Sequence, residues 1–205
     1  MVIILLLSSS MNFLAHLYLS ADNPEIQLGN FIGDFVRGRD LSSRFSKNIV
    51  RGIELHRAID EFTDRHPIVK QSKDRLRPKY RHYAPVIVDM FYDHFLAVNW
   101  SLYHSQLLPD FADSCYDYLQ KNIDVLPEQA KWMLPHMVRG NWLVNYGKIE
   151  GIQQALSGMT RRSKFDSKMN ESTVELIEFY ADFNNDFKLF FPELKQHASE
   201  FLLIN

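Results

Sequence analysis

An all-α, single-domain helix bundle is the fold this sequence predicts. Apolar residues recur at helical spacing through most of the chain, and no polar–apolar alternation is long enough for a strand. Neither an internal repeat nor a low-complexity linker divides the 205 residues. Apolar residues make up 46% and charged residues 23%, ordinary for a soluble chain, while 13% aromatics, with 15 Phe, predict a core of large rings. The net charge of −2 argues against a general nucleic-acid binder. A single cysteine, Cys115, excludes an internal disulfide framework and a cysteine-rich zinc site, and fits a reducing, cytoplasmic compartment.

The first ten residues, MVIILLLSSS, hold an apolar run too short to span a bilayer, without a basic leader or a cleavage site. Residues 1–10 therefore read as an N-terminal extension, with a membrane-touching tail as the rival, and residues 11–205 as one helical domain. MNFLAHLYLS sets Phe13, Leu14, Leu17 and Tyr18 on one helical face with His16 beside them, before Ala21-Asp22-Asn23-Pro24 breaks it. EIQLGNFIGDFV (25–36) predicts a second helix carrying Asp34 among Phe31, Ile32, Phe35 and Val36. Its Gly29 and Gly33 permit close helix packing, and Arg37-Gly38-Arg39-Asp40 closes it as a loop. Taken singly, His16 and Asp34 also have an ordinary reading as core residues.

IVRGIELHRAIDEFTDRHP (49–67) is the most informative stretch. Ile49, Ile53, Leu55, Ile59 and Phe62 share one arc of a helix, and Arg51, Glu54, Arg57, Glu61 and Arg65 share the other. His56 and Asp60 lie inside the apolar arc, one turn apart, with Asp64 a further turn on at its edge. A carboxylate aimed at a core is costly unless positive charge meets it. A buried arginine would serve, and so would a metal ion, for which imidazole and carboxylate are ordinary ligands.

Lys70, Lys73, Arg75, Arg77, Lys79 and Arg81 then stand against the single acid Asp74. This run reads either as a solvated helix face or as a docking surface for an acidic partner or phosphate. Ala84-Pro85 opens a helix that is apolar nearly all round, a mark of the centre of a bundle. Asp89 and Asp93 interrupt it one turn apart, and two such carboxylates repel unless a cation or a shared proton holds them. His94 lies about 100° or more from both on an ideal helix. Further helices are expected at 109–124, at 127–149 with a kink at Pro135, at about 148–159, at 171–190 and at 192–203.

Histidines and aspartates on apolar faces of several helices suit a metal site inside a bundle. The gathered set is His16, Asp34, His56, Asp60, Asp64, Asp89, Asp93 and His94. Its oxygen-rich donors favour Mn²⁺ or Mg²⁺, with Fe²⁺ or Co²⁺ next. A metal there polarises a phosphoryl oxygen and acidifies water, so phosphoester hydrolysis is the natural chemistry. HExxH, the P-loop and GxSxG are all absent.

With these stretches in hand, the sequence resembles the acyl carrier protein phosphodiesterases. The resemblance lies in MNFLAHLYLS, GNFIGDFVRG, GIELHRAIDEFTD, APVIVDMFYDHFLAVNW and, more weakly, NWLVNYGKIEGIQQALSGMTRR, in order from Met11 to about Arg162. It implies a metal-dependent hydrolase related to the HD phosphohydrolases, with Mn²⁺ first among the candidate metals. The implied substrate is holo-acyl carrier protein, cut to apo-carrier protein and 4′-phosphopantetheine. Carried over by motif position, Asp34 comes first as essential and metal-associated, then His56, Asp60 and Asp89 as ligands; His16, Asp93 and His94 form a second tier. Asp60 or Asp64 is the expected base, and Arg37, Arg57 and the 70–81 cations are expected to meet the carrier protein and its phosphate. The chain departs from an adjacent His-Asp doublet: its nearest pair is reversed, Asp93-His94. Two alternatives stand beside this reading, an HD-like phosphohydrolase for a small phosphoester or nucleotide, and a non-catalytic helical module that binds carrier protein.

Overall fold

The structure, a computed structural model, describes residues 12–204. The expected extension at 1–10 lies outside the described residues. In chain order the α-helices are α1 (Phe13–Tyr18), α2 (Pro24–Ile32), α3 (Lys47–Arg65), α4 (Pro67–Tyr80), α5 (Ala84–Val98) and α6 (Trp100–Tyr103). They continue as α7 (Leu108–Lys121), α8 (Glu128–Arg139), α9 (Trp142–Asn145), α10 (Ile149–Arg162), α11 (Thr173–Glu178) and α12 (Tyr180–Ile204). Among the described residues there is no strand, and no helix is long and apolar enough to cross a membrane.

Helix α5 is the central element, as its nearly all-round apolar sequence predicts. Ile87, Val88, Met90, Phe91, Phe95 and Leu96 are all fully buried, and each such side chain contributes about 1.5–3 kcal/mol relative to exposure. Around α5 pack α1, α4, α10 and α12. The tightest contact elsewhere is between α2 and α3, where two glycines let the backbones touch. A Cβ on Gly29 would stand 2.1 Å from the Ile49 carbonyl oxygen, and one on Gly52 would stand 2.2 Å from that of Ile26. Any side chain at either position would push the helices apart.

Three helix limits differ from expectation. The second helix stops at Ile32 and tightens into a 3₁₀ turn over Gly33–Phe35, so Asp34 leaves the α-helical register. Pro135 stays within α8, and the predicted 127–149 helix breaks instead at Asn141, whose φ of 41° is left-handed. The C-terminal pair instead divides at Phe179, and α12 runs on through Pro192. Phe183, Phe187, Phe190, Phe191, Leu194 and Ala198 make one buried stripe across that proline, and its packing outweighs the lost backbone hydrogen bond.

Candidate metal centre

Two imidazoles meet face to face beside α2, bonded to the same residue of that helix. His16 on α1 and His56 on α3 stack with ring centroids 4.1 Å apart and planes 20° apart. A Cβ on Gly33 would lie 2.2 Å from His56 Cγ, so the 3₁₀ turn after α2 can pass His56 only with glycine there. Both rings are buried.

One residue, Asn30, fixes both tautomers. His16 Nδ1 donates to Asn30 Oδ1 at 2.7 Å, and His56 Nδ1 donates to the Asn30 backbone carbonyl at 2.8 Å. The Asn30 amide cannot flip, because its nitrogen donates to the His16 carbonyl (2.8 Å) and to Ser20 Oγ (2.9 Å). In the neutral rings both lone pairs therefore sit on Nε2. Each of these atoms lies near carboxylate oxygen: His16 Nε2 is 3.3 Å from Asp60 Oδ1, and His56 Nε2 is 3.3 Å from both Asp60 Oδ2 and Asp34 Oδ1. None of these approaches has hydrogen-bond geometry, and both Nε2 atoms are buried without a hydrogen-bond partner.

Two buried, orphaned nitrogens facing carboxylates need positive charge between them. Protonating both rings would stack two cations at 4.1 Å. A divalent cation answers the same need, and imidazoles fixed through Nδ1 are the usual companions of metal ligation. His16, His56 and Asp60 bring three donor atoms within 4.8 Å of one another, and the residues present fit a metal. Burial opposes charge on His56, but the Asp34 and Asp60 carboxylates outweigh it and raise its pKa to about 10. Burial likewise disfavours the Asp60 carboxylate, yet His16 and His56 hold it well below the usual range. Asp60 is about one-third exposed (33%) and gives the cluster its opening to solvent.

The structure thus gathers Asp34, His56 and Asp60 as expected, and raises His16 from the second tier to the centre. It does not gather the rest. Asp64 is exposed and accepts from Lys73 Nζ at 2.8 Å, away from the imidazoles. Asp93 is buried on α5 with each oxygen accepting one amide, Leu14 N–H and Ala15 N–H, both at 2.9 Å. It caps α1 from another helix, where two amide donors hold this carboxyl. Burial pushes its carboxyl up, and the two amides pull the other way. Asp89, also buried, stands outside the metal-sized grouping. His94 donates from Nδ1 to the Tyr146 carbonyl (2.8 Å), and its Nε2 accepts from Tyr180 O–H at 3.0 Å. Burial lowers its pKa, and it is a satisfied neutral core histidine.

The basic run is mostly spent within the molecule. Lys70 and Arg77 pair with Asp74, Lys73 with Asp64, Arg75 with buried Asp186, and Lys79 with Glu171 and Glu175. Arg81, at the end of α4, is outside these pairs. Cations without an ion pair lie instead on the loop that follows Asp34. Arg37, Arg39 and Arg44 are exposed and form no ion pair among the described residues. Arg57 ties that loop to α3 by donating to the Val36 and Gly38 carbonyls at 3.3 and 3.1 Å. Sequence reasoning missed Asn30. Its signal was a polar residue one turn before Asp34, set between Leu28 and Phe31 on the apolar side of the helix.

A family profile described as acyl carrier protein phosphodiesterase matches residues 11–194, beyond the stretch that the sequence motifs cover. The protein of that name from Photorhabdus laumondii is 35% identical over 189 residues, covering 92% of this chain and 95% of its own. That from Escherichia coli O157:H7 is 35% identical over 201 residues (92% and 98%), and that from Yersinia enterocolitica 31% over 191 residues (93% and 98%). No solved structure matches the chain.

Proposed function

The chain belongs to the acyl carrier protein phosphodiesterase family, and from that premise we propose that it is a metal-dependent hydrolase of holo-acyl carrier protein. It releases 4′-phosphopantetheine and apo-carrier protein in the cytoplasm. The observation that carries the metal dependence is the pair of orphaned Nε2 atoms on His16 and His56 facing Asp60. In this reading His16, His56 and Asp60 hold a divalent cation, Mn²⁺ first and Mg²⁺, Fe²⁺ or Co²⁺ next, and the kinship to HD phosphohydrolases rests on ligands drawn from separate helices. When bound, the cation supplies Lewis-acid polarisation of the phosphoryl group and acidifies water.

The chain's own groups do the rest. Asn30 keeps both rings in the tautomer that leaves Nε2 available. Asp34 approaches His56 through Oδ1, and we assign it as the base that takes a proton from the attacking water. The water oxygen bonds to phosphorus, the bond from phosphorus to the carrier serine oxygen breaks, and that oxygen is protonated from solvent. Arg37, Arg39 and Arg44 offset phosphate charge and attract acidic groups of the carrier protein.

The test is the mass of holo-carrier protein incubated with the enzyme and Mn²⁺. Loss of one phosphopantetheine arm, abolished by chelator and by Asp34→Ala, is expected. An unchanged mass with folded, Mn²⁺-loaded protein would overturn the proposal.

A further inference from the structure

The motif NWLVNYGKIEGIQQALSGMTRR contributes no residue to the metal centre. It forms α9 and α10, and with α8 these helices enclose a cavity of about 280 Å³. That is near the small end of ligand pockets, roughly 300–1,000 Å³. The cavity shares no helix with His16, His56 or Asp60; α1 and α10 both pack on α5.

Its walls have the makings of a ligand site. Trp132 is 62% exposed, with its ring 5.0 Å from that of His136, and Trp142 lies across Gly140. Flat faces of this kind stack on planar or extended organic groups. At the end of α10, Arg161 and Arg162 are exposed, and neither pairs with a carboxylate among the described residues. Cations suit a helix C-terminus, but that does not explain why two of them line an aromatic cavity.

Gly158 adds a separate observation. Glycine is the poorest helix former after proline, and helical glycines usually mark close packing. Gly151 does so, since a Cβ there would lie 1.9 Å from the Asn145 carbonyl oxygen. Gly158 does not: a Cβ would meet nothing nearer than Arg161 Nη2 at 3.9 Å. What it leaves free is space on the cavity wall.

We propose that this cavity binds a small organic phosphomonoester, its phosphate on Arg161 and Arg162 and its body against Trp132, His136 and Trp142. Paired guanidinium forks match a phosphate dianion, and the aromatic wall selects for an organic body. Two sources share that chemistry, a mononucleotide and 4′-phosphopantetheine; the second rests on the proposed reaction and the first does not.

Gly158→Leu puts a side chain on the cavity wall at a position where a Cβ meets no backbone within 4 Å, so it is the variant chosen to separate binding from folding. The full chain, kept in chelator so that the metal centre takes no part, is titrated with AMP, 4′-phosphopantetheine and inorganic phosphate. Tryptophan fluorescence is read, with two of the three tryptophans in the cavity wall. Saturable quenching by AMP or 4′-phosphopantetheine is expected, at least tenfold tighter than by inorganic phosphate. It should weaken at least tenfold in Gly158→Leu and in Arg161→Glu/Arg162→Glu at unchanged circular dichroism. The tighter of the two organic ligands identifies the source. Should Gly158→Leu fail to fold, Trp132→Ala, altering an exposed side chain, takes its place. No saturable quenching, equal affinity for inorganic phosphate, or binding unaffected in folded variants would overturn the proposal. Because no turnover is measured, loss of this site and loss of the hydrolase reading are distinguishable.

Discussion

Two arrangements of buried histidine and aspartate occur in this molecule, and they end in opposite states. At the His16–His56 stack, Asn30 satisfies both Nδ1 atoms and both Nε2 atoms are left facing carboxylates. On α5, by contrast, His94 has both ring nitrogens satisfied, by the Tyr146 carbonyl and the Tyr180 hydroxyl, and Asp93 has both oxygens satisfied by amides of α1. Residue types are alike in the two regions and so is the burial of the histidines, although Asp60 reaches solvent and Asp93 does not. What separates a candidate metal centre from a structural core is the hydrogen-bond account of each polar atom.

The largest expected difference is catalytic. Asp34→Ala should lower hydrolysis of holo-carrier protein by about 10²–10⁴-fold, the range for a lost general base. His94→Phe should leave the rate within about twofold, because its partners are structural; it should instead cost about 1–3 kcal/mol of stability in chemical unfolding, from the buried Tyr146 carbonyl left without its donor. A rate loss in His94→Phe at matched folded fraction would contradict the distinction. Next in size is Asn30→Ala, which removes no ligand yet should weaken Mn²⁺ binding or turnover by about 10–100-fold, as losses of ligand-orienting partners do. Isothermal titration with Mn²⁺ reads it directly.

The pH dependence of metal binding separates the two histidines further. In the metal-free protein the pKa of His56 is raised to about 10 from 6.5, so its charged form adds stability that is complete below the ordinary imidazole range and lost as pH rises through about 10. A metal must displace that proton. Apparent Mn²⁺ affinity should therefore rise with pH, by roughly tenfold per unit where His56 is protonated in the metal-free state. A flat profile between pH 6 and 8, roughly the range in which an unshifted histidine titrates, would contradict displacement of a His56 proton by the metal. Smallest is the effect of charge at the site's mouth. Arg39→Glu/Arg44→Glu should raise KM for carrier protein by about three- to tenfold at low salt, as loss of steering does. Lys70→Glu, which breaks only a surface pair with Asp74, should have no such effect.

The same contrast explains what was legible in the sequence. Periodicity alone identified the faces of α3 and α5, and the Gly29 spacing announced a close helix contact, because both depend on residues near one another in the chain. Helical spacing paired His56 with Asp60 and the family resemblance put Asp34 first, and the three side chains meet in the structure. Those signals could not say where a buried polar atom finds its partner. Asp93 meets the Ala15 amide 78 residues away, and His94 meets a carbonyl 52 residues away; neither contact leaves a trace in local spacing. The pairing of the basic run was illegible for a related reason, since the acids that pair with Lys79 and Arg75 lie on distant segments near and within α11 and α12. The expected boundary between 190 and 192 was also not there, because the buried stripe of α12 runs on through Pro192 despite a missing donor.

The central claim, that the orphaned pair marks a metal centre, is tested most directly by Mn²⁺ titration followed by electron paramagnetic resonance. Wild-type protein, His56→Ala and His94→Ala are compared at equal folded fraction. The account predicts saturable Mn²⁺ binding in wild type and in His94→Ala, and at least a hundredfold loss in His56→Ala. Equal Mn²⁺ binding in all three, or no saturable binding in wild type, would contradict it.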